Sequence, residues 1–170
     1  DVLASIIHKS ESDPGMAGHI KTGFHPLDDV LEGGLSPQDL VLLGGKPGVG
    51  KTIAMIQWAR NMAESGKRVV FASYELGERS LLGRLLTTEV GVRNRHLDMQ
   101  QRHELKSVIR DSVKSGSVSD DPAVREVIRQ AYDAIDGYAD RLLLRRVSGY
   151  HTGPGELAAL ARDWVGPGGV

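Results

Sequence analysis

The sequence predicts an α/β fold with a mostly parallel sheet flanked by helices, and three observations carry that expectation. From Ile20 onward, apolar runs of strand length alternate with segments of helical periodicity. One such run leads directly into a glycine-rich octapeptide, Gly45-Lys46-Pro47-Gly48-Val49-Gly50-Lys51-Thr52, and a helical segment follows it. No internal repeat or low-complexity stretch interrupts the alternation, and 170 residues at 40% hydrophobic and 25% charged suit one domain with its own core.

The elements follow in chain order. Asp1 to Ser10 places Val2, Leu3, Ile6 and Ile7 on one helical face, and Glu11-Ser12-Asp13-Pro14-Gly15 has the composition of a tether. Residues 1–18 are therefore expected to be a linker helix and tether, and 19–170 the domain proper. The helix docks either on its own domain or on a neighbouring subunit. Pro26, Leu27, Val30 and Leu31 predict a short helix closed by Gly33-Gly34. Asp39 to Gly44 is an apolar run that predicts a first strand buried on both faces. Ile53, Ile56, Ala59 and Ala63 define a helix stopped at Gly66. Arg68 to Tyr74 is the second predicted strand, followed by a helix from about Glu78 to Gly91 with Leu81, Leu82, Leu85 and Leu86 inward. Two more helices carry Leu105, Val108, Ile109 and Val113, then Val124, Val127, Ile128, Ala131 and Ile135, the second opened by Asp121-Pro122. Arg141 to Val147 is the third predicted strand, and Leu157, Leu160, Ala161 and Trp164 mark the last helix.

The octapeptide meets every position of the phosphate-binding pattern G-x-x-x-x-G-K-[ST]. A glycine-rich loop lets backbone N–H groups point at phosphate oxygens, and the following helix adds the positive end of its dipole. In this reading Gly45 to Thr52 cradle a nucleoside triphosphate, Lys51 reaches its β- and γ-phosphates, and the Thr52 hydroxyl completes the coordination of Mg²⁺. The strand before and the helix after are the context that the pattern requires.

Hydrolysis needs a positioned water and a carboxylate to orient it. Glu75 is the candidate, because it stands at the carboxyl end of a predicted strand, where ligand crevices of open parallel sheets lie. The competing role for Glu75 is a surface glutamate capping the next helix, for which Glu78 is the better fit.

Composition bounds the rest. There is no cysteine, which excludes a disulfide framework, a thiolate metal site and a catalytic thiol. The six histidines lack metal-site spacing, so Mg²⁺ brought by the nucleotide is the one metal expected. A net charge of −1 gives no global basic field for nucleic acid, so any such contact must be local. Arg93-Asn94-Arg95 and Arg145-Arg146 are the densest basic spots, and solvated surface beside acidic neighbours is their better reading. No apolar window approaches membrane-spanning length and no leader-like segment opens the sequence, which reads as a cytoplasmic protein without a membrane role.

Beyond these readings, the chain resembles a known family. Thr22-Gly23-Phe24-His25-Pro26-Leu27-Asp28, Gly33-Gly34-Leu35, Asp39-Leu40, the phosphate loop and Ser73-Tyr74-Glu75-Leu76 look like the RecA-type ATPase domain of replicative DNA helicases of the DnaB family. Leu82, Arg84, Leu85, Leu86 and Gly91-Val92 fit the same pattern, and the similarity runs from about residue 20 to 170. The resemblance implies a RecA-like P-loop NTPase fold and an ATP-hydrolysing motor that translocates on single-stranded DNA and unwinds duplex in replication. It implies ATP and Mg²⁺ as cofactors, Lys51 and Thr52 as phosphate and Mg²⁺ residues, and Glu75 as catalytic base or water-orienting residue. Members form rings, commonly hexamers, with nucleotide between subunits, and primase or a helicase loader are further expected partners. Residues 1–10 would correspond to the linker helix that packs on the next subunit.

The family's Walker B strand, an apolar run ending in Asp, is not matched: Asp163 lies in a helical pattern, and Gly168-Gly169-Val170 resembles only the start of such a strand. The DNA-binding loops and arginine finger are expected beyond Val170. The domain is thus expected to be incomplete at its C-terminus, with an apolar sheet edge exposed, and the fragment alone poorly folded and inactive. Two other functions fit the same loop: another RecA-type ATPase, of recombination, circadian timing or signalling, and a nucleotide-binding loader or regulatory module without helicase activity. The single Glu75 followed by Leu76 favours the helicase over relatives with paired glutamates.

Overall fold

The computed structural model describes residues 19–37, 39–116 and 119–166. The expected linker helix and tether at 1–18 and the Gly168-Gly169-Val170 start of a strand lie outside these residues.

Among the described residues, six α-helices and two strands follow in the order α1 (His25–Val30), α2 (Lys51–Glu64), β1 (Val69–Ser73), α3 (Glu78–Arg93), α4 (Met99–Ser115), α5 (Pro122–Asp136), β2 (Leu142–Arg146) and α6 (Pro154–Val165), with a short 3-10 helix at Ala139–Arg141. Within one or two residues these are the elements that the periodicities predict. Asp121 caps α5 as read, its carboxylate accepting from the Ala123 N–H at 2.8 Å, with Pro122 at the first helical position. The start of α4 is fixed by a capping box that the periodicity did not reveal: Asp98 accepts from the Gln101 N–H at 2.8 Å, and Gln101 Oε1 accepts from the Asp98 N–H at 3.1 Å.

The strands β1 and β2 pair in parallel, from Val69 opposite Leu142 to Ser73 opposite Arg146, and the crossover between them runs through α3, α4 and α5. The predicted first strand, Asp39 to Gly44, is a correction: it forms no strand among the described residues, and Leu40 and Leu42 are 86% and 87% exposed. Apolar composition makes a segment competent for a buried strand, but a strand needs a ladder partner, and β1 takes its ladder from β2.

The core centres on α3, which packs against α2, α4, α5 and β2. Leu81, Leu85 and Leu86 are fully buried as predicted, whereas Leu82 is half-buried. Each fully buried leucine contributes about 1.5–3 kcal/mol. Ile56, Ala59 and Ala63 from α2, Ile109 from α4 and Ile128, Ala131 and Ile135 from α5 complete the cluster.

A charged network runs through this core. Arg60 on α2 donates from Nε to Glu89 Oε1 at 2.5 Å and from Nη2 to Glu89 Oε2 at 3.2 Å, and it also holds Glu64 at 2.5 and 2.8 Å. The Tyr138 hydroxyl donates to Glu89 Oε1 at 2.6 Å. Burial and the neighbouring Glu89 carboxylate push the Tyr138 phenol far above its ordinary pKa, so it stays a donor. Burial opposes the charge on Arg60, but its bonds to Glu89 outweigh burial and keep it protonated. The network pins α2, which begins at Lys51, to α3.

Candidate functional site

Three segments build the site. The first is the phosphate loop. Its residues 45–50 precede α2, and Gly50 is the helix N-cap with φ of 97°, a left-handed conformation that glycine adopts without a steric penalty. The Lys51 ammonium donates to the carbonyls of Gly45 at 2.8 Å and Lys46 at 2.9 Å, folding the lysine over its own loop. Among the described residues, the N–H groups of Gly45, Lys46, Gly48 and Gly50 have no protein acceptor. A Cβ on Gly48 or Gly50 would meet nothing within 4 Å, so the loop surface is open. Free donors, an exposed backbone, a lysine and the start of a 14-residue helix are a donor set suited to a polyphosphate.

The second segment carries Glu75. It follows β1 by two residues, in the turn before α3, and its side chain is exposed. The turn is shaped by the Leu76 N–H donating to Ser73 Oγ at 2.9 Å. Glu75 has no hydrogen-bond or ion-pair partner among the described residues, and none joins it to Lys51 or Thr52. Ile53 on the first turn of α2 and Arg79 on the first turn of α3 line one groove. Glu78 does not cap α3 through its side chain, since Gly77 is the N-cap; it pairs instead with Arg145 at 3.7 Å.

The third segment is the Thr22 to Asp28 motif, whose role is structural. Asp28 is buried and accepts from the Thr22 N–H at 2.8 Å, the Thr22 hydroxyl at 2.7 Å and the Gly23 N–H at 3.0 Å. Burial alone would raise its pKa, but these bonds outweigh burial and hold the carboxyl below its ordinary value. Asn61 donates to the Thr22 carbonyl at 2.7 Å, and Phe24 meets Trp58 edge to face at 6.2 Å. Both partners lie on α2, so the clasp braces the helix whose first turn carries Lys51 and Thr52.

Of the two basic spots, Arg93 pairs with Glu89 at 3.4 Å and Arg145 with Glu78, consistent with surface beside acidic neighbours. The sequence reading missed Arg60 and Glu89. A signal existed: Glu89 stands on the apolar stripe of Leu82, Leu85, Leu86 and Val90, where a carboxylate must find a partner.

Residues 19–126 match the family described as DnaB-like helicase C terminal domain. The chain belongs to this family. Relatives include the DNA repair protein RadA of Mycolicibacterium smegmatis, 46% identical over 63 residues, 37% of this chain and 14% of RadA. Probable replicative DNA helicases are also similar. That of Guillardia theta is 32% identical over 92 residues (54% of this chain, 15% of the relative), and that of Trieres chinensis 31% over 116 residues (65% and 25%). The chain therefore spans a quarter or less of these relatives. A solved structure described as an ATPase domain superposes with a TM-score of 0.70 at 20% identity, covering 98% of this chain and 52% of that one. At that identity it shows the fold alone, an α/β domain with a parallel sheet. The DnaB-like match spans the phosphate loop, β1, Glu75 and α3, the segments that carry the candidate residues. No described helix is long and apolar enough to cross a membrane.

Proposed function

We propose that this chain is the ATP-binding and hydrolysing part of a DNA helicase motor that translocates on single-stranded DNA in the cytoplasm. Residues 45–52 hold the triphosphate, Lys51 contacts the β- and γ-phosphates, Thr52 ligates Mg²⁺, and Glu75 orients the attacking water. The bound Mg²⁺ would neutralise charge on the phosphate oxygens. The observation that carries the reading is the open, donor-rich loop at the N-terminus of α2 in a chain of the DnaB-like family.

Residues 1–18 act in this reading as a linker to a neighbouring subunit of a hexameric ring, with 19–170 forming the first part of the ATPase domain. Primase or a loader are the partners that a replicative role entails. Binding of fluorescent ATP with Mg²⁺ tests the loop: Lys51→Ala is expected to weaken it by at least about tenfold, the scale of one lost charge-assisted phosphate contact. Unchanged affinity in Lys51→Ala would remove the assignment.

The RadA similarity supports a second reading, a RecA-type ATPase of DNA repair. Duplex unwinding by the full-length protein separates them. ATP-dependent strand displacement supports the helicase, and DNA-stimulated hydrolysis without displacement supports the repair ATPase.

A further inference from the structure

A groove of about 430 Å³ lies between the first turn of α2 and the facing sides of α3 and α4. Arg79 and Arg84 line it from α3, and His103, Lys106 and Arg110 line it from α4. No acidic residue lines it. Among the described residues, none of these five side chains forms a hydrogen bond or ion pair, whereas Arg60, Arg93, Arg125 and Arg129 each hold a carboxylate. Four permanent cations on two facing helices repel one another, and an anion placed between them relieves that repulsion.

The floor is set by packing. A Cβ on Gly83 would stand 3.0 Å from Val113 Cγ1, so glycine at this position lets α4 approach α3 closely. The basic stripes of the two helices are thereby brought to the walls of one recess. The stripe on α4 has the spacing i, i+3, i+7, which keeps its three residues on one face. The volume falls within the range of ligand sites. Arginine matches phosphate oxygens in geometry as well as charge. No Phe, Tyr or Trp lines it, and its four permanent cations match phosphate oxygens, so contact would be chiefly to the backbone and largely independent of base identity.

We propose that this groove binds the phosphodiester backbone of single-stranded nucleic acid. The proposal goes beyond the helicase reading, which assigns no DNA contact to these residues, and it requires no nucleotide hydrolysis. The phosphate loop contributes none of its cations to the groove.

The test is fluorescence anisotropy of a labelled oligothymidylate of about 15 nucleotides, without ATP, at about 50 and about 200 mM salt. Lys106→Glu/Arg110→Glu changes two exposed, unbonded side chains and is expected to weaken binding at least about tenfold. It should also flatten the dependence of log affinity on log salt by about 1.4, the contribution of two phosphate contacts to a single strand. Lys106→Gln/Arg110→Gln should give a smaller loss in the same direction and covers the case in which the double reversal disturbs α4. Lys21→Glu/Lys67→Glu, with the same change in net charge away from the groove, should lose less than about twofold. Lys51→Ala should bind the oligonucleotide as the parent does, which keeps this proposal separable from the nucleotide assignment. Equal losses in the groove and control variants would reduce the effect to net charge and overturn the proposal. So would unchanged binding in both groove variants, or full displacement by equimolar inorganic triphosphate in Lys51→Ala, which would identify a free polyphosphate as the occupant.

Discussion

Removing the Glu89 carboxylate should destabilise the domain far more than removing the other carboxylate that Arg60 holds. In Glu89→Ala, Arg60 loses bonds of 2.5 and 3.2 Å, and the Tyr138 hydroxyl, on a residue only 2% exposed, loses its acceptor at 2.6 Å. An orphaned buried hydroxyl costs about 1–3 kcal/mol, and breaking a buried ion pair by deleting one partner costs about 3–5 kcal/mol in all. For a domain of this size 1 kcal/mol moves Tm by about 2–4 °C, so Glu89→Ala should lower Tm by roughly 6–20 °C. The Glu64 side chain is 49% exposed, and solvent screening limits its pair with Arg60 to less than about 1 kcal/mol, so Glu64→Ala should shift Tm by less than about 4 °C. Replacing the network by apolar groups, in Arg60→Met/Glu89→Leu/Tyr138→Phe, should cost less than Glu89→Ala alone, because no buried charge is left unpaired. Differential scanning fluorimetry on the four proteins reads all of this. Equal Tm shifts for Glu89→Ala and Glu64→Ala would refute the reasoning, since they would mean that burial does not distinguish the two carboxylates.

Two further outcomes follow from the site. Asp28 has a lowered pKa, so its stabilising bonds are fully present above the unfolded-state value of about 3.9 and are lost as pH falls through the lower folded-state value. Urea melts should therefore show Asp28→Asn less stable than the parent by about 1.5–3 kcal/mol at neutral pH, with the gap closing only below about pH 4; a gap that closes near neutrality would contradict this. At Gly50 a Cβ meets open space, yet the backbone is left-handed, so Gly50→Ala should cost about 1–2 kcal/mol through the backbone alone and weaken nucleotide binding. Unaltered stability and affinity would mean that the loop relaxes without loss.

Much of the fold was legible because its signals are local. Asp121-Pro122 names its own cap, the Leu81, Leu85 and Leu86 stripe names the inward face of α3, and the alternation of strand and helix gives the parallel pairing of β1 with β2. The failure at Asp39 to Gly44 has the opposite character. Strand formation depends on a partner elsewhere in the chain, and the composition of Leu40 to Leu43 contains no information about which partner is within reach. The candidate site divides in the same way. The phosphate loop is legible as eight consecutive residues, whereas the Arg60, Glu89 and Tyr138 network joins positions 29 and 49 apart, and the basic groove joins two helices whose charges appear scattered in sequence. The Thr22 to Asp28 motif was visible as a family resemblance, but its work as a clasp on α2 emerges only from the bonds to Asn61 and within the turn.

The most direct test of the account compares nucleotide binding with hydrolysis in Glu75→Gln of the full-length protein. A residue that orients the attacking water acts on the chemical step and leaves binding alone. The account predicts parental affinity for ATP with Mg²⁺ and a fall in turnover of about 10²–10⁴-fold. Turnover at the parental rate in Glu75→Gln would contradict it.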